Sequence, residues 1–382
     1  MHFTLLYSTA ALATLAFAGP IGGRGENSSP HEGDDHDDGY HSDKGHHGRE
    51  NFTDFSPFLP DGFPNPSPAQ IIKIQERAHG TLPNSPLPTG LSNDSITSFQ
   101  LIALNEVAEV AFFYELVQNI SNNVEGYKLG EGRDRILENL NIILGVEELH
   151  ALGANAILQA NGADPIQPCK YNFPVSDYKS AIGLAATVTD LVVGTLQDVA
   201  DIFAQNTENG AVRLLSSVIG DESQQEGLFR IVQKKATPAQ PFVTTSTRDF
   251  AFTALQGFIV PGSCLAVEKI ALQTFNPLNV LTPDIKPKTQ ELEFSFSLEG
   301  VDVDVDSLSL VLVNALNKPI VEQLEDVKVD GETVIFTAKF PFDEFLLHGL
   351  TIAAVTNEAQ SFPDAIAVAN QTVFGPGLIE VN

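Results

Sequence analysis

Apolar residues follow two different periods along the 382 residues. From Asp94 to about Val232 they recur every third or fourth position, the spacing of helices with one buried face. Beyond "NPLNVLTPDIKPK" the period drops to two, the spacing of strands. The first regime predicts helices over 94–120, 132–161, 176–205 and 209–233. Asp94 or Ser95 can cap the first, and Gly162 and Pro165 end the second. Helices of this length, joined by moderate loops, make a four-helix bundle, with the loop around Cys169 as a long crossover. The second regime predicts five or six strands within 291–298, 308–315, 324–340, 349–357 and 365–374, with Asp330-Gly331 as a hairpin turn. Residues 285–382 are therefore read as a small Ig-like β-sandwich. Between the regimes, 243–275 extends the bundle region 91–275 with a short helix or strand.

The first ninety residues have neither period. Residues 1–18 form a short apolar run closing on Ala-Phe-Ala, as a secretory signal does. Residues 19–60 are acidic and nearly free of large aliphatics, so they cannot offset their ordering entropy and are expected to be disordered. His31, His36, His41, His46 and His47 lie there, a weak metal-binding tract at most. A Pro-rich linker continues to residue 90. No later window is uninterrupted enough to span a bilayer, and "FGPGLIEVN" is no GPI tail. The expectation is a secreted, extracellular or cell-wall glycoprotein. Asn-X-Ser/Thr sequons at Asn27, Asn51, Asn93, Asn119 and Asn370 fit it. In an oxidising compartment Cys169 and Cys264 favour a disulfide over two buried thiols. A net charge of −28 argues against nucleic acid and anionic membrane as partners.

Candidate chemistry lies on the helices. Each carries an acid flanked at i±3 and i±4 by small or apolar side chains: Glu106, Glu147, Asp190 and Glu222. A buried unpaired carboxylate is costly, so several converging ones require cations, protons or hydrogen bonds. A di-metal carboxylate bundle uses one Glu from each of two helices and Glu-x-x-His from the other two. Here the second helix has Glu147-x-x-His150, whereas the fourth has Glu222-x-x-Gln225 and the third offers the shorter Asp190. Iron or manganese would suit such donors. The alternating Asp302, Asp304 and Asp306 read as one solvated strand face rather than a calcium loop. There is no nucleophile elbow, phosphate loop or dinucleotide fingerprint.

"LNEVAEVAFFYELV", "VEELHALGANAIL", "PCKYNFPV" and "IGDESQQEGLFRIV" resemble the secreted fungal ferritin-like proteins of stress response or late sexual development, over roughly 90–275. That resemblance implies a ferritin-like bundle behind a signal peptide, with no settled activity. Glu106, Glu147, His150 and Glu222 match the wider ferritin-like pattern, Asp190 is a shortened match, and Gln225 breaks it. Three roles follow as expectations. The first is a degenerate centre with one metal or none and a structural or binding role. The second is an active di-iron or di-manganese oxidase or ferroxidase. In the third, the β-domain binds a cell-wall polymer or protein partner.

Overall fold

The computed structural model describes residues 59–264, 267–357 and 361–381. The signal segment, the His-rich tract, Asn27 and Asn51 lie outside the described residues. The helices are α1 (Pro68–Arg77), α2 (Asn93–Ser121), α3 (Arg133–Ala160), α4 (Tyr178–Gln205), α5 (Asn209–Val232) and α6 (Arg248–Gln256), followed by α7 (Phe342–Phe345) and α8 (Ala365–Gln371) among the strands. Helices α2 to α5 are the four that the periodicity predicts. The cap of α2 is Ser92, whose side chain accepts from Ser95 N, and Asp94 sits in the first turn. Asn93, Asn119 and Asn370 all lie on helices.

Helix α1 occupies a stretch read above as linker. Pro68 is its first residue, and Ser67 with Gln70 forms a capping box, so the local start signals outweigh the surrounding prolines. Its Ile74 is fully buried, and Arg77 reaches Glu148 on α3 at 2.6 Å and Asp61 at 2.8 Å.

Helix α2 is buried without a break from Leu101 to Phe113, because α3, α4 and α6 pack around it. Enclosure on all sides removes the polar stripe of an ordinary amphipathic helix. It also corrects the bilayer reading: α2 and α4 are each long and apolar enough to span a membrane, with mean hydropathy 1.3. Of those apolar windows, 83% and 67% respectively are buried inside the protein.

The crossover loop seals one side of the bundle. Cys169 and Cys264 form the expected disulfide. Beside it Asn172 N donates to Phe258 O at 2.7 Å and Val260 N to Lys170 O at 2.9 Å. Phe173 then packs edge-on against Phe112 of α2.

The β-region has two four-stranded antiparallel sheets. One runs β1 (Asn279–Val280), β2 (Gln290–Ser297), β6 (Thr333–Phe340), β5 (Glu325–Asp330); the other runs β4 (Ile320–Gln323), β3 (Ser309–Asn314), β7 (Gly349–Thr356), β8 (Thr372–Val381). Phe294, Phe296 and Phe336 from the first sheet meet Leu312, Val355 and Phe374 from the second, which makes the sandwich core. Asp330-Gly331 does turn β5 into β6. Two local readings change. Residues 365–371 form α8, since Asp364 caps Ala367 N and burial falls on Ala365, Val368 and Ala369 at helical spacing. Asp304 and Asp306 belong to a 3₁₀ turn, where the Asp304 side chain accepts from Asp306 N.

Strands β3 and β7 are buried on both faces. Their outer residues Val311, Val313, Leu350 and Ile352 pack on Leu191 of α4 and Phe250 of α6, a second apolar core that fuses sandwich to bundle. Gly194 of α4 lies in this seam, and a Cβ there would collide with the Thr244 carbonyl and crowd Ser246 N at 3.2 Å. Both obstacles are backbone, so Gly194→Ala should cost about 1–3 kcal/mol of overpacking, read as a lower urea midpoint at unchanged slope. An unchanged midpoint would mean that the seam yields freely.

Candidate metal centre

Four side chains from three helices meet in the bundle. Glu106 comes from the enclosed stretch of α2. Glu147 and His150 sit one turn apart on the inner face of α3, and Glu222 enters from α5. One ligand atom from each lies within 4.8 Å of all the others. His150 Nδ1 is 3.1 Å from Glu147 Oε2, 3.5 Å from Glu106 Oε2 and 3.6 Å from Glu222 Oε1. The imidazole is 17% exposed and the three carboxylates at most 1%, so His150 is the most exposed of the four.

The charges are far from balanced. Glu109, one turn beyond Glu106, adds a fourth buried carboxylate, with Asn105 Nδ2 donating to its Oε2 at 2.8 Å. Burial pushes Glu106 well above the usual carboxylate range, and the neighbouring Glu147 and Glu222 raise it further against the pull of His150. Burial likewise raises Glu109 well above that range, helped by Glu222 and Glu147. Glu222 is pushed up to about 7 by burial and by Glu147. For His150, burial acts to lower the pKa, but Glu106 and Glu147 outweigh it and hold the imidazole well above its ordinary value. Without a cation, the centre must hold protons.

Both oxygens of Glu106 and both of Glu222 lack a hydrogen bond. Buried carboxylate oxygens without partners are costly, and a divalent cation is the ligand that would satisfy several together. Three carboxylates and one imidazole are a donor set suited to iron or manganese. The residues present therefore fit a divalent cation.

Two of the six candidate ligands are elsewhere or otherwise engaged. Gln225 is buried beside the centre, but its Nε2 donates to Glu147 Oε1 and, at 3.2 Å, to Asp221 Oδ2. Asp190 is not in the centre. It bonds to Glu380 of β8 and lies near Glu226, Arg230 and Lys235, a polar cluster where α4 and α5 meet the second sheet. The face that α4 turns toward Glu109 offers Ala185, Val188 and Thr189, around a cavity of about 20 Å³. That is space for roughly one water molecule. Glu109 was legible as the i+3 neighbour of Glu106. Glu226 and Glu380 had no signal, since nothing in the sequence brings β8 to α5.

Residues 94–235 match the family model of the ferritin-like domain. The match spans α2 to α5 and ends before the segment that joins the bundle to the β-sandwich. No curated protein matches the chain. The protein thus has a ferritin-like helical domain, a candidate carboxylate/His centre within it, and an all-β region of two antiparallel sheets after it.

The polar cluster at the seam predicts a pH dependence. Burial, then the nearby Asp190, push Glu226 up to about 9, against Arg230 and Lys235. A folded pKa above the unfolded one stabilises the protonated form, so this contribution is full below the unfolded value and is lost as pH rises through about 9. Glu226→Gln keeps the neutral shape and should flatten the fall of Tm that the wild type is expected to show as pH rises from the unfolded carboxylate value to about 9. An identical pH profile for the two proteins would refute the assignment.

Proposed function

We propose that the helical domain binds iron or manganese through Glu106, Glu147, His150 and Glu222, in a protein exported from a fungal cell and used structurally or as a binder in stress response or sexual development. The observation that carries the metal assignment is the convergence of four donor atoms within 4.8 Å, with the oxygens of Glu106 and Glu222 unsatisfied. The bound cation would supply the positive charge that three buried carboxylates need, with His150 completing the set from the solvent side. Export is supported by the Cys169–Cys264 disulfide and by the leader and sequons of the sequence. The fungal role rests on the sequence resemblance.

Elemental analysis of protein purified without added metal tests the reading. Bound iron or manganese is expected, and chelation should lower Tm by several degrees, because a ligand at a hundredfold excess over Kd contributes about 2.7 kcal/mol. Glu147→Ala combined with His150→Ala should abolish both the bound metal and the chelator effect. Equal Tm and no metal in either protein would overturn the assignment. Rapid oxidation of added ferrous ion would replace the structural role with an oxidase.

A further inference from the structure

We infer that the centre is built for one cation rather than a pair, and that Gln225 is the residue that sets this limit. The inference rests on the metal-binding reading above and adds the stoichiometry and its cause.

A second cation would need a terminal ligand one turn beyond Glu222, a free oxygen on Glu147, and a carboxylate from α4. Gln225 weakens the first two together. Its amide faces Glu147 Oε1 and Asp221 Oδ2. Only Nε2 can point there, because the amide oxygen would meet two acceptors. A side-chain amide nitrogen has no lone pair for a metal. Its Oε1, buried and without a hydrogen bond, leaves a neutral amide oxygen where a two-cation centre has an imidazole. Glu147 Oε1 accepts from Gln225, whereas Oε2, 3.1 Å from His150 Nδ1, faces the shared site.

The third requirement fails on α4. Asp190, the acid of that helix with small and apolar neighbours, is bonded to Glu380 at the domain seam. Thr189, its buried neighbour in the chain, lines the small cavity next to Glu109 instead. Glu109 lies outside the converging set, with its Oε2 accepting from Asn105. Both departures from the two-cation arrangement, Gln225 on α5 and the missing acid on α4, leave the first position intact.

The test uses the full chain stripped of metal and titrated with Mn²⁺, as wild type, Gln225→His and Gln225→Glu. Uptake is read by elemental analysis after dialysis, and the electronic state by electron paramagnetic resonance. The wild type should take one equivalent with the six-line signal of an isolated Mn²⁺. Gln225→His should take a second equivalent, at least tenfold weaker than the first, with an exchange-coupled signal. Gln225→Glu keeps the size of the side chain while exchanging donor for acceptor, so it provides the same readout should the histidine variant fail to fold. Two equivalents in the wild type would overturn the inference and leave the metal-binding function standing. One equivalent in the wild type and in both variants would show that Gln225 is not the limit. No uptake by the wild type would remove the function and the inference with it.

Discussion

Burying three carboxylates around one imidazole is the constraint on which the rest of the helical domain depends. Inside the bundle Glu106, Glu147 and Glu222 repel one another in a medium that solvates them poorly, and His150 opposes them. Either protons or a cation must balance that charge, and either choice ties the occupancy of the centre to the stability of the fold. The surroundings are arranged for this. The long apolar walls of α2 keep water off Glu106, the crossover loop is clamped shut by its disulfide, and His150 is the most exposed of the four ligands.

The β-sandwich is a packed partner of this bundle rather than an appended module. A sheet with one free face alternates apolar and polar residues, yet β7 is buried at all of its positions. Its second face exists to meet α4 and α6. Polar groups at the same seam, Asp190, Glu226, Arg230, Lys235 and Glu380, give the contact a register that an apolar surface alone would not fix.

Long elements with a single period were the most legible. Helices α2 to α5 stand where the spacing of apolar residues puts them, and the hairpin at Asp330-Gly331 turns where the dipeptide says it should. Four of the six candidate ligands meet, because Glu-x-x-His on α3 and the acids of α2 and α5 face one another inside the bundle. Asp190 misled for a physical reason. Its neighbours Ala186, Val193 and Gly194 are apolar, but α4 is buried on two sides, and an apolar surround does not say which side an acid faces. Short elements failed similarly: "AIAVANQ" alternates like a strand and also buries Ala365, Val368 and Ala369 like a helix, so a cap at Asp364 decided it.

The two departures from the ferritin-like pattern are therefore linked through α4. A helix that carries a metal ligand must hold its rotation to within a fraction of a turn, and it must face the bundle axis at that residue. Helix α4 is released from that demand, since the residues it turns to the cavity beside Glu109 are Leu184, Ala185, Val188 and Thr189. It can then commit Leu191, Gly194 and Asp190 to the sheet packed across its other side. Helix α5 keeps one foot in each role: Glu222 and Gln225 serve the centre, while Glu226 and Arg230, buried one turn on, serve the seam. A rotation of α5 that improved one set would spoil the other.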